Sequence, residues 1–414
     1  MRASRLSSGR FSPRGRRLGG GWRCSVLTWP VHSLTVLLTV LAAWLIFYKL
    51  AEYLKLEKKG FEVKPLVMLY KTARFNRLLD DLSARFSGFW SLYSTVSIFI
   101  AFGLALFSVY ILAENLFKFF MKPEEALGFI PILPGITVGL EPLLYFLPAI
   151  LLGLTFHELL HGVVARLENI PVKSAGIIVV FLLFGGFVEP DEESFRKSRT
   201  LSRLRVLSSG PSANLALAFI AFLVLNVFFQ PPQGLLVYSV SPDSPLYGLG
   251  LDRWSIVEEV NGVKLGLTRP SIPLVTPYTD PLRELRSLNL TSRVVVKTDK
   301  GVFNVTLPGP PYRLGIRFYI YPYSPTIFGD LIPRSATFTA YILVMYTCSI
   351  NIALAVFNML PVYPFDGYGF IEAFLDRVEN GLLRKAASIA LNVFGIGLLV
   401  LNIGLTFLRF GVLR

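Results

Sequence analysis

The chain has 414 residues, of which 53% are hydrophobic and only 16% charged, a balance that excludes an ordinary soluble enzyme and indicates a membrane protein. Its formal net charge of +14 would suit a nucleic-acid binder, but the basic residues are spread through loops between apolar segments. With no basic stripe interleaved with aromatics, no nucleic-acid partner is expected. The two cysteines, Cys24 and Cys348, are too few for a disulfide framework or a thiolate metal cluster.

Taken in chain order, the first 23 residues hold seven arginines among Ser, Gly and Pro, and residues 1–25 are expected to form a disordered basic tail. The apolar run from about Val26 to Tyr48 exceeds a signal-peptide core and is expected to be a retained helix, with a signal anchor as the alternative. Residues 49–89 are amphiphilic and basic, and Phe89 to Met121 is a second membrane element, long for one span. "PILPGITVGLEP" (131–142) marks a structured loop before an apolar helix from about Leu143 to Arg166. The β-branched run within 172–193, closed by Gly185, Gly186 and Pro190, reads as strands. A basic stretch with Arg196, Lys197, Arg199, Arg203 and Arg205 then leads into a span over 209–229. Hydropathy falls from Gly234 to about Pro308, as in a small β-rich domain, and "VVVKTDKGVFNVTL" reads as a hairpin turning at Asp-Lys-Gly. Spans from about Ser335 to Leu360 and from Ala386 to Phe407 close the chain.

The helix from Leu143 carries "TFHELLHGVV", which holds two of only three histidines in the chain. Residues four apart share a helix face, so His157 and His161 can present ring nitrogens to one cation with Glu158 beside them. This is the geometry of zinc hydrolases: two imidazoles, a third protein ligand, and a fourth position for water, whose pKa the cation brings to about 7. Glu158 would take that water's proton. Two histidines packed neutral in a helix bundle are the plainer alternative, but ionisable groups inside a span are costly and usually functional. The best third ligand is Asp366, in "NMLPVYPFDGYGF", where two prolines break the helix and Gly367 follows. Read alone, Asp366 could equally be the N-cap of a helix starting near Phe370.

These motifs, in this order, resemble the site-2 proteases, intramembrane zinc metalloproteases of the archaeal and animal branch. "HELLH" is similar to the family's zinc helix, "SGPSANL" with Gly210, Pro211 and Asn214 to its Gly-Pro…Asn motif, and "NMLPVYPFDG" to the segment supplying the third ligand. "LPGITV" and "KTARFN" resemble the same branch, and the likeness runs from about Phe61 onward. Phe365 and Tyr368 depart from the common Leu before and Gly after the Asp-Gly, without removing a ligand. The resemblance implies one zinc ion held by His157, His161 and Asp366, water activation by Glu158, and Asn358 holding substrate or stabilising the oxyanion. A polar tie between helices is the other reading of Asn358.

"FGGFVEP" resembles the family's membrane-embedded sheet. An edge strand there could capture an unwound substrate, or it could be a short connecting hairpin. "VSPDSPLYGLGLDRWSIVEEVNGVKL" (240–265) resembles a PDZ core, though Asp252, Arg253 and Trp254 replace its usual Gly-Asp. Substrate filtering, size exclusion, or peptide binding at a carboxylate loop near Gly234 and Leu235 could be its role.

The expected architecture is a polytopic α-helical membrane protein with a small membrane-associated β-sheet and an inserted PDZ-like domain. Its parts are an amino-terminal membrane section (26–121), a first catalytic part (122–233), the β-rich insert (234–310) and a second catalytic part (311–414). The expected partners are the lipid bilayer and a membrane-anchored protein substrate already shortened by another protease. The resemblance puts the active site near the cytosolic side and the insert outside, and the basic segment 196–205 is consistent with a cytosolic loop. If 89–121 is one span the amino terminus lies outside; if it is re-entrant, inside. A metal-inert PDZ scaffold and a metal or proton transporter remain as alternatives. The scaffold would have no need of Glu158, and a transporter would repeat polar residues along several spans.

Overall fold

The computed structural model describes residues 29–129, 140–180, 183–265, 288, 290–310 and 312–410. The expected basic tail, the "LPGITV" loop and residues 266–287 of the β-rich insert lie outside the described residues.

Nine α-helices and ten strands are described. The amino-terminal part comprises α1 (Trp29–Tyr53), β1 (Phe61–Lys64), β2 (Val67–Lys71), α2 (Ala73–Arg85) and α3 (Ser87–Met121). Next come α4 (Leu140–Leu167), β3 (Val172–Val180), β4 (Leu183–Pro190), the short α5 (Glu192–Lys197) and α6 (Thr200–Phe228). The insert holds β5 (Gly234–Val240), β6 (Ile256–Val260), β7 (Val263–Lys264), β8 (Arg293–Thr298), β9 (Gly301–Thr306) and β10 (Ile316–Tyr323). It is followed by α7 (Arg334–Asn358), α8 (Asp366–Leu375) and α9 (Gly381–Phe410). Among the described residues, five helices are long and apolar enough to cross a bilayer: α3, α4 from Leu143, α6, α7 and α9.

At 35 residues α3 is one unbroken helix about 52 Å long, against a hydrocarbon core of about 30 Å, so the re-entrant alternative does not form. Its buried positions Ser94, Ser97, Ala101, Leu104, Ser108, Leu112 and Asn115 recur at three- and four-residue steps. This mostly small stripe lets neighbouring backbones approach, while Phe99, Leu106 and Phe120 stay exposed on the lipid-facing side. At its far end Asn115 donates to Asn402 of α9 (2.9 Å) and accepts from the Leu127 amide (2.7 Å), tying the two helices together inside the bundle.

The strands expected within 172–193 form as β3 and β4, but they belong to a four-stranded antiparallel sheet in the order β1-β2-β3-β4. The first two strands come from the stretch read only as amphiphilic. Gly176 makes this possible: a Cβ there would overlap the Tyr70 carbonyl of β2, so only glycine allows β2 and β3 to pair. On the other side, Gly185 and Gly186 of β4 lie against Leu154 and Thr155 of α4.

The segment 196–205 is not a loop. Glu192–Lys197 is helical, and α6 begins at Thr200, so Arg203 and Arg205 stand in its first turns. They can be helical because they are paired: Arg205 donates to Glu168 (2.7 Å), and Arg203 to Asp376 (2.6 Å).

The β-rich insert is a six-stranded sheet in the order β10-β5-β6-β8-β9, with β7 against β6. Its last strand, β10, falls beyond the expected boundary at 310. The sheet buries Leu235, Val237, Val257, Val260, Val294 and Val296, and Leu236, Ile256 and Tyr323 join the outer ends of α6 and α7 in a common core. Arg334 at the start of α7 bonds to Asp299 and to the Trp254 carbonyl. Gly234 and Leu235 are not an open carboxylate loop, because both lie in β5, which pairs with β10 on one side and β6 on the other.

Substituting Gly176→Val should pull β2 off β3, lower stability by about 1–3 kcal/mol and open residues 61–71 to protease in detergent. Unchanged melting and protease resistance would contradict this account of the sheet.

Candidate metal centre

α4 presents His157 and His161 one turn apart on a single face. Both residues are buried, at 5% and 8% exposure, which removes competing water from their ring nitrogens. The third group arrives from the far end of the sequence. α7 stops at Asn358, the chain turns through Pro361 and Pro364, and α8 starts with Asp366. Asp366 is therefore the first residue of α8, with Phe365 as the capping position, and the N-cap reading of Asp366 does not hold. Gly367 is required next, since a Cβ there would run into the Met359 backbone.

Asp366 Oδ2 lies 3.1 Å from His157 Nε2 and 3.2 Å from His161 Nε2, and the two Nε2 atoms are 3.1 Å apart. A tetrahedral ion about 2.0–2.1 Å from each ligand sets those ligands roughly 3.3 Å apart, close to the spacing observed. Two imidazoles and a carboxylate are a donor set that suits zinc. Two further features fit. A Cβ on Gly210 of α6 would lie 2.3 Å from His161 Nε2 and 2.8 Å from His157 Nε2, so glycine keeps this space clear. His161 Nδ1 is 2.7 Å from the Val206 carbonyl, which can only accept, so the ring proton sits on Nδ1 and the Nε2 lone pair faces the centre.

Glu158 turns toward β4, where its Oε2 accepts from the Val188 amide at 3.4 Å. One turn earlier, Thr155 Oγ1 accepts from the Gly186 amide at 3.2 Å. Two outward amides of β4 are thus engaged by the histidine helix itself. Asn358, half-buried at the end of α7, makes no hydrogen bond to His157, His161 or Asp366 among the described contacts.

Sequence reasoning quoted Gly210 and Asn214 but gave neither a role. Asn214, completely buried, stands 3.1 Å from His157 Nδ1. The signal was their four-residue spacing on α6, which matches that of the histidines on α4. The Val206 carbonyl had no signal, because every residue carries one.

A belt of charge marks the depth of the site. Arg166 pairs with Asp80 (3.1 Å), Glu168 with Arg205, and Asp376 with both Arg203 and Arg384. His161 precedes Arg166 by five residues, so the ligands sit about 7 Å or more inward from this belt along α4. Ion pairs give way to apolar helix within two turns.

Peptidase family M50 matches residues 145–402, more than half of the chain and all three clustered residues. The chain belongs to this family, that of the site-2 proteases, and with five apolar helices of spanning length among the described residues it is an integral membrane protein of metalloprotease type. It is 26% identical to an uncharacterised protein of Methanocaldococcus jannaschii over 86% of this chain and 90% of the relative. It is 23% identical to a membrane-bound transcription factor site-2 protease homolog of Arabidopsis thaliana, over 47% of this chain and 39% of the relative. The chain thus spans well under half of the plant protein's length.

Replacing Gly210 by Ala should weaken zinc binding at least about tenfold, read by competition with a chromogenic chelator, because one methyl occupies the space between the Nε2 atoms. Wild-type affinity in a folded Gly210→Ala protein would exclude this site.

Proposed function

We propose that the protein is an intramembrane zinc endopeptidase that cleaves membrane-anchored proteins within or near the bilayer. The observation that carries this reading is the convergence of His157, His161 and Asp366 inward of the charged belt, with Glu158 alongside. His157, His161 and Asp366 would hold one zinc ion, which supplies Lewis acidity for carbonyl polarisation and water activation.

The chain's own residues do the rest. Glu158 is the proton carrier. Its carboxylate takes a proton from the attacking water as the new C–O bond forms, and returns it to the amide nitrogen as the C–N bond breaks. The hydrogen bond from Val188 holds that carboxylate toward β4 and gives it a defined resting orientation. Asn358, close in sequence to the turn that delivers Asp366, is the residue assigned to substrate or oxyanion contact. A helical substrate satisfies its own amides and must unwind to be cut. An extended segment pairing with β4 does so at the Phe184 end, or takes the Val188 amide over from Glu158.

The β-rich insert is assigned as a PDZ-like filter. Its shared core with the ends of α6 and α7 supports a fixed position close to the spans. A fixed module would exclude substrates with bulky outer domains, so the natural substrate is one already shortened by another protease. The site would face the cytosolic side and the insert the opposite one.

The test uses the purified full chain and a candidate membrane-anchored substrate. Wild type should carry one zinc and cleave, while Glu158→Gln should keep the zinc and lose about 10²–10⁴-fold in rate. Equal cleavage by Glu158→Gln, or a zinc-free active protein, would overturn the proposal.

A further inference from the structure

The two histidines of α4 are backed by one row of α6. Val206, Gly210 and Asn214 are spaced by four residues, so they share a face of α6, as His157 and His161 share a face of α4. Val206 meets the rear of His161, Gly210 lies against the Nε2 atoms, and Asn214 meets the rear of His157. The two rear contacts differ in kind. Val206 offers a carbonyl, which fixes the His161 proton on Nδ1. Asn214 offers a carboxamide, which can donate or accept.

Asn214 Nδ2 lies 3.1 Å from His157 Nδ1, while Asn214 Oδ1 is buried with no hydrogen-bond partner. This arrangement suits only a His157 whose Nδ1 is bare and whose Nε2 carries the proton. Such a ring can donate from Nε2 to Asp366, but it cannot give Nε2 to a cation. Once Nε2 serves as ligand the proton sits on Nδ1, and Nδ2–H and Nδ1–H would be two donors face to face. A half-turn of the carboxamide exchanges Oδ1 and Nδ2 with little change of shape. It removes the donor clash and gives the stranded oxygen a partner.

We propose that Asn214 is the positioning residue for His157: its Oδ1 accepts the His157 Nδ1–H and thereby leaves Nε2 free for the metal. This rests on the zinc reading given above. Asparagine suits the position because its Oδ1 supplies an acceptor within reach of the His157 Nδ1. Leucine, of similar size, supplies no acceptor.

The experiment measures zinc affinity of the detergent-purified full chain by chelator competition, the visible absorption of its cobalt-substituted form, and melting of the metal-free protein. Asn214→Leu should lower zinc affinity about 10–100-fold and perturb the cobalt spectrum while melting as wild type. Asn214→Asp, which keeps an acceptor and loses the donors, should stay within a few-fold of wild type. If either variant does not fold, Asn214→Ser and Asn214→Ala give the same comparison, Ser retaining an acceptor and binding zinc more tightly. Wild-type affinity in Asn214→Leu, an Asp variant as weak as the Leu variant, or a Ser variant no tighter than Ala would overturn the assignment. A wild-type chain that binds no zinc would instead remove the metal reading itself.

Discussion

His157 Nε2, His161 Nε2 and Asp366 Oδ2 lie 3.1–3.2 Å from one another inside a helix bundle, and bare lone pairs at that separation repel unless a proton or a cation sits between them. Holding them there demands a rigid frame. α4 sets the spacing of the imidazoles, the turn through Pro361 and Pro364 aims the carboxylate, and α6 comes close enough to back both rings only because residue 210 has no side chain. The ion pairs of Arg203 and Arg205 fix the start of α6 against α4 and α8. Much of the remaining architecture follows from keeping three helices in register at one point.

The sheet is coupled to the same point. β4 rests on α4 through Gly185 and Gly186, and its Val188 amide engages Glu158, so helix and strand share that contact. Because β4 is braced by β3, β2 and β1, that contact is carried by a four-stranded unit rather than a lone hairpin. Under the proposed function, substrate capture and orientation of the base would draw on that same hydrogen bond. The β-rich insert, welded to α6 and α7 through Leu236, Ile256, Phe338 and Tyr341, extends the frame beyond the spans.

Much of the centre was legible in the sequence, for reasons particular to each residue. His157 and His161 declared themselves by fourfold spacing in a chain with three histidines, and Asp366 by the prolines before it and the glycine after it. What could not be read was the set of contacts made by backbone or by absence. The Val206 carbonyl has no side-chain signature, and Gly210 acts through a missing methyl. β1 and β2 are four and five residues long with lysines at their ends, so their strand pattern is swamped by charge. Arg203 and Arg205 read as loop because charge implies solvent, whereas Glu168 and Asp376 allow them into a helix. Gly234 and Leu235 resembled a ligand loop by composition, yet pairing on both sides makes them part of a central strand.

The central claim is that two imidazoles and one carboxylate from distant parts of the chain bind a single zinc ion inward of the charged belt. X-ray absorption at the zinc edge of the purified protein, compared with Asp366→Ala, tests it most directly. The account predicts a low-coordinate shell of nitrogen and oxygen at about 2.0–2.2 Å with imidazole scattering, and loss of one oxygen ligand or of the metal in the variant. Sulfur at about 2.3 Å, or an identical spectrum at full occupancy in Asp366→Ala, would contradict it.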